Sequence, residues 1–97
     1  MPKGYWVANM TITDPEAYKA YQAFVRPFLE ANQGRFVVRG GAAEVVEGSV
    51  MPRVIVIEFP SYAAARDAYH SSEYQAGKQL RDGASTGNFA IVEGFEA

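Results

Sequence analysis

Residues 52–61 read PRVIVIEFPS, an extended run that is apolar on both faces and carries one carboxylate, Glu58. Side chains alternate across a strand, so Ile55, Ile57 and Phe59 share one face and Val54, Val56 and Glu58 the other. A strand greasy on both sides has to be covered on both sides. In a chain of 97 residues one layer of helices can cover only one of them. The larger set, Ile55, Ile57 and Phe59, is expected under the helices.

Working outward, GYWVANMTIT at residues 4–13 is rich in aromatic and β-branched residues and reads as the first strand. Trp6, Ala8, Met10 and Ile12 point one way, and Tyr5, Val7, Asn9 and Thr11 the other. Asp14 and Pro15 then open a helix, the carboxylate capping free amides and the proline occupying the first turn. Tyr18, Tyr21, Val25 and Phe28, with Phe24 alongside, form an apolar stripe running toward Asn32. Pro27 should weaken its last turn, and Gly34 is the expected exit residue.

RFVVR at residues 35–39 is a second strand. Strict alternation sets Phe36 and Val38 against Arg35, Val37 and Arg39. Gly40 and Gly41 mark a bend, residues 43–47 resume extended character, and a loop at 48–52 leads into the central run. If that hairpin zips from the loop, Glu47 faces Arg53 and Ala43 faces Ile57, which leaves residues 35–39 overhanging the sheet. Beyond the central run, Ser61 caps a helix YAAARDAYH. Ser72 with Gln75 reads as a capping box for a second short helix. A polar turn at 82–87 precedes a last strand at 88–92.

The order strand, helix, strand, strand, helix pair, strand is an α+β, ferredoxin-like βαββαβ plan in one domain, residues 1–97, with helices on one face of an antiparallel sheet. The other face would carry Tyr5, Val7, Val37, Val54, Val56, Ala90 and Val92. That is a patch of roughly several hundred Å², the size at which a lone monomer's apolar surface demands an explanation. Packing two such faces together yields a homodimer, a dimeric α/β barrel with helices outside.

Composition narrows the partners. The net charge of −2 leaves no basic stripe for nucleic acid and little attraction to acidic membranes. The absence of cysteine removes disulfides, thiol catalysis and thiolate metal sites. A single histidine excludes a histidine-based metal cluster. No stretch approaches membrane-spanning length and the first ten residues lack a signal-peptide core, so a cytoplasmic location is expected.

The segments GYWVANMTITDPEAYKAY, GRFVVRGG, PRVIVIEFPSYAAA and SSEYQAGKQLRDGA, in that order, resemble a bacterial family of uncharacterised proteins, domain of unknown function thirteen-thirty. The resemblance covers nearly the whole chain and implies membership of the dimeric α/β-barrel superfamily. That superfamily includes cofactor-free monooxygenases, lactone isomerases, haem enzymes and ligand-binding regulatory domains, so its fold does not dictate a reaction.

Alternation places Asn9, Arg39 and Glu58 on the face away from the helices. There Glu58 is read either as a structural ion pair with Arg39 or Arg35, or as a general base whose pKa burial would raise and an arginine lower. His70, near a helix end, is read as a dipole-stabilised cation or a proton carrier at a pocket rim. Tyr18, Tyr21, Tyr69 and Tyr74 belong to helical stripes, with Tyr18 near enough to the helix start to reach the barrel mouth. RGG at 39–41 lacks the lysine of a phosphate-binding loop and is a bend. Arg66, Asp67, Lys78 and Arg81 form a solvated helix face from which Arg81 could turn inward.

The leading expectation is a small apolar or aromatic molecule bound inside the barrel, with cofactor-free oxygenase or isomerase chemistry. Glu58 or His70 would move a proton, Arg39 would hold a developing oxyanion, and Asn9, Tyr18, Arg35 and Arg81 would contact the ligand. No cofactor and no metal is expected. The alternative is a non-catalytic ligand-binding or interaction module whose interior polar residues lock the dimer. A haem-binding relative is weaker, because the only imidazole falls on an outer helix.

Overall fold

The computed structural model describes residues 2–96. Strands β1 (Gly4–Ile12), β2 (Arg35–Arg39), β3 (Arg53–Phe59) and β4 (Ser85–Glu93) form a four-stranded sheet in the order β2-β3-β1-β4. Every neighbouring pair is antiparallel. Helices α1 (Pro15–Ala31), α2 (Tyr62–His70) and α3 (Ser72–Lys78) pack on one face, and a 3₁₀ turn, Gln79–Arg81, leads toward β4. This is the ferredoxin-like α+β arrangement.

The helix-side core follows the alternation. Trp6, Ala8 and Met10 of β1 and Ile55, Ile57 and Phe59 of β3 are buried against Tyr18, Tyr21, Val25, Phe28 and Leu29 of α1. Trp6 is 1% exposed, with the rings of Phe59 and Tyr74 each 4.9 Å away and that of Phe89 at 5.4 Å. Its indole N–H donates to the Ala65 carbonyl at 2.8 Å, so the only polar atom of this ring is satisfied and α2 is tied to β1. Behind it the Tyr21 and Tyr74 hydroxyls share a hydrogen bond of 2.6 Å between α1 and α3. Those helices approach so closely that a Cβ on Gly77 would strike the Phe24 ring.

Helix α1 begins where expected, the Asp14 carboxylate accepting from the Ala17 amide at 3.2 Å. It runs through Pro27 to Ala31. Its exit differs: Gln33, not Gly34, takes the left-handed conformation at φ 63°, while the Gly34 amide donates to the Leu29 carbonyl at 2.8 Å. This is a Schellman closure built on a residue with a Cβ. The α3 cap is likewise one residue early: the Ser71 hydroxyl, rather than Ser72, accepts from the Tyr74 amide. Strand β4 starts at Ser85, so the second half of the expected polar turn is strand.

The expected overhang of residues 35–39 is overturned. Strand β2 pairs directly with β3, Arg35 opposite Glu58 and Phe36 opposite Ile57, and residues 43–47 lie in the loop between the two strands. The register then slips at Val37, so that Val38 faces Val56 and Arg39 faces Ile55. A β-bulge of this kind adds a residue to one strand and reverses the facing of everything after it. Val38 therefore joins Val54 and Val56 on the open face, and Arg39 crosses to the helix side.

A non-glycine residue in the left-handed region costs about 1–2 kcal/mol, part of which glycine's own entropy offsets. Gln33→Gly is expected to stabilise the fold by about 0.5–1 kcal/mol, read as a higher urea midpoint at unchanged slope. A lower midpoint would contradict the assignment of Gln33 as the helix exit.

Candidate functional site

A cleft opens on the helix side of the sheet, between α1 and the end of the sheet where β2 finishes and β3 starts. Trp6, Ala8 and Met10 of β1 and Ile55 and Ile57 of β3 form its floor. Tyr18, Gln22 and Arg26 follow one another at four-residue spacing on α1 and line one wall. Arg39 and Arg53 line the other, brought there by the bulge and by the pairing of Arg53 with Met10. The cleft holds about 500 Å³ counting its open mouth, with an inner volume of about 40 Å³. No carboxylate and no imidazole lines it among the described residues.

The polar groups of the cleft are differently held. The Tyr18 hydroxyl is buried and donates to the Met10 sulfur at 3.3 Å. Burial raises its pKa, against the lowering influence of the nearby Arg53 and Arg81 charges, so it stays protonated at neutral pH. Tyr21, deeper still, is pushed further upward by burial, reinforced by its contact with Tyr74. Arg39 lies over the Phe36 ring, 4.7 Å from its centroid. Arg53 is half-buried, and its Nε is shielded from solvent without a hydrogen-bond partner. Gly40, at φ 66°, leaves room for it: a Cβ there would stand 2.7 Å from an Arg53 terminal nitrogen.

The sequence-predicted residues divide between the two faces. Tyr18 and Arg39 meet in the cleft. Arg81 turns inward beside it, its guanidinium 5.4 Å from the Tyr21 ring and 5.7 Å from that of Phe89, and lines a second, shallower depression with Met10 and the start of β4. Asn9, Arg35 and Glu58 stand on the open face, so the expected grouping of Asn9, Arg39 and Glu58 does not form. Glu58 accepts from Arg35 Nε at 2.9 Å and from the Tyr5 hydroxyl at 3.3 Å. The Asn9 amide grips the strand lead-in, donating to the carbonyls of Met51 at 2.9 Å and Arg53 at 3.2 Å and accepting from the Met51 amide at 3.0 Å. Asn9 thus fixes, from the opposite face, the backbone that carries Arg53. His70 is exposed at the C-terminus of α2, edge-on to the Tyr69 ring at 5.3 Å.

Sequence reasoning missed Gln22, Arg26 and Arg53 as cleft residues. The four-residue spacing from Tyr18 to Arg26 was the available signal for the first two. For Arg53, the signal was its parity with Ile55 and Ile57.

The fold defines a class, the ferredoxin-like α+β proteins, which it shares with the solved structures it resembles. Among solved structures, a protein of unknown function from Rhodopseudomonas palustris is 18% identical at a TM-score of 0.75, with 99% of this chain and 85% of that one covered. SnoaB, a cofactor-independent oxygenase from Streptomyces nogalater, is 15% identical at a TM-score of 0.64, covering 100% of this chain and 97% of that one. No curated protein matches the sequence. The chain belongs to the family described as Domain of unknown function (DUF1330), which it matches over residues 3–95.

Arg35, foremost through its hydrogen bond, holds the Glu58 carboxyl below the usual carboxylate range, against a smaller upward push from desolvation. A group whose pKa is lowered by folding adds stability above its unfolded pKa and loses it as pH falls through the folded value. Glu58→Gln is therefore expected to lower the urea midpoint slightly at pH 7 and by less at pH 3. The effect is small because Arg35 is 72% exposed. An equal loss at both pH values would show that the side chain acts through packing instead.

Proposed function

We propose that this protein is a homodimer joined through its open sheet face and that each protomer binds a small apolar or aromatic molecule in the cleft beneath α1, with cofactor-free oxygenase chemistry. The observation that carries the reading is the cleft itself: an apolar floor with a few convergent polar groups on its walls, the usual composition of a small-molecule site. The likeness in fold to an oxygenase that works without a cofactor supports the reaction class. The dimer is supported by shape and exposure. The protomer is a slab of 37 × 36 × 17 Å, and Val37, Val38 and Val92 on its uncovered side are 44%, 42% and 44% exposed.

In this reading the cleft favours the enolate of an enolisable aromatic ketone. Arg39, with Arg53 behind it, stabilises the oxyanion, and the protonated Tyr18 hydroxyl orients it. The ketone loses its α-proton to solvent water, the enolate gives one electron to dioxygen, the radical pair joins as a C–O–O bond, and return of a proton followed by loss of water converts the methylene to a carbonyl. The balance is CH₂ + O₂ → C=O + H₂O, with dioxygen as the oxidant. Glu58, Arg35 and Asn9 serve the dimer face and the strand framework. His70 stands outside the cleft.

A non-catalytic binding module is the second reading, favoured by the absence of a carboxylate or imidazole base from the cleft among the described residues. Oxygen uptake with 2-tetralone separates the two. At least about ten-fold acceleration over the spontaneous rate, lost in Arg39→Met, is expected for the oxygenase. Saturable thermal stabilisation by the ketone without oxygen uptake leaves only the binding module.

The interface has its own check. Val56→Lys places a charge in the middle of the open face, where burial without a partner is costly. It is expected to sediment as a folded monomer at micromolar concentration, where the wild type sediments as a dimer. A wild-type monomer would remove the homodimer from the proposal.

A further inference from the structure

Three of the nine basic residues of an acidic chain, Arg26, Arg39 and Arg53, border the same cleft. The ion pairs among the described residues, Lys19 with Glu16 and Arg35 with Glu58, include none of them. Arginines on an ordinary surface are dispersed among carboxylates; here like charges converge on an apolar floor with none to balance them. The arginines are also held in place. Arg39 rests on the Phe36 ring, and Arg53 lies over Gly40, with Asn9 gripping its backbone. The Arg53 Nε, shielded and unpaired, is a donor awaiting an acceptor.

We infer that the cleft takes a small organic monoanion, an apolar or aromatic body bearing one anionic oxygen group such as a carboxylate or the enolate above, with that group held by Arg39 and Arg53 and screened by Arg26. The inference rests on the cleft reading above and adds the ligand's charge. A planar guanidinium matches a carboxylate in paired hydrogen bonds, and removing water from the contact strengthens them. The body lies along Met10, Ile55 and Ile57, with Val25 above. An inorganic anion would leave that floor unused. A polyphosphate would need the glycine-rich backbone cradle that the sequence lacks.

The test is titration of the purified protein with 2-naphthoate, its neutral counterpart 2-naphthamide, and inorganic phosphate, followed by calorimetry at pH 7.5 in low salt. The expected result is saturable naphthoate binding at least about ten-fold tighter than the amide, since one side carries a charge-assisted contact. That preference should fall to near unity in Arg39→Met and Arg53→Met, and persist in Arg66→Met on the exposed side of α2. Circular dichroism confirms folding of each variant, and Arg39→Met at an exposed position decides the matter if Arg53→Met does not fold. Equal affinity for naphthoate and naphthamide overturns the inference while leaving the cleft reading intact. Displacement of naphthoate by an equal concentration of phosphate, or a preference that survives in Arg39→Met, also overturns it. Failure of both aromatic compounds to bind at millimolar concentration removes the cleft reading along with it.

Discussion

Trp6 is the fixed point of this fold. Its ring is enclosed by Phe59, Tyr69, Tyr74 and Phe89, and its one donor is bound to the Ala65 carbonyl. Burying an indole of this size yields several kcal/mol only if its N–H finds a partner, here the backbone of α2. The helices are thereby committed to one side of β1. Everything else follows from that commitment: the core lies on a single face, the valines of β2, β3 and β4 are left on the opposite one, and the space under α1 that the aromatic cluster leaves unfilled becomes the cleft.

Much of this was legible from residue order and spacing. The apolar residues at three- and four-residue intervals in α1 and the Asp14 cap marked the first helix, and alternation in residues 4–12 and 53–59 assigned the core face correctly. Local signals failed where neighbours compete for one role. Ser71 and Ser72 are both adequate caps, and backbone closure selected the first. Gly34 suits a left-handed exit better than Gln33, but chain geometry placed that conformation one residue earlier.

The site was less legible, for one physical reason. Val37 has the same strand preference as Val38, and no glycine or proline marks the slip between them, so strict alternation was the natural reading of RFVVR. That reading set Arg39 beside Glu58, whereas the fold separates them by the thickness of the sheet. Arg53 was hidden differently, at the edge of a run whose hydrophobic character drew attention to its centre. The ion pair of Glu58 with Arg35, in contrast, lay within reach of a parity argument because both residues precede the slip.

The bulge has a consequence for how such a protein can diversify. Five consecutive residues of β2 serve two surfaces, Arg35 on one and Arg39 on the other, although both project from the same short segment. Arg35 and Val38 bear on the open face, whereas Phe36 and Arg39 bear on the cleft. A lineage can revise either surface without disturbing its counterpart, and the single extra residue is what carries an arginine from one to the other.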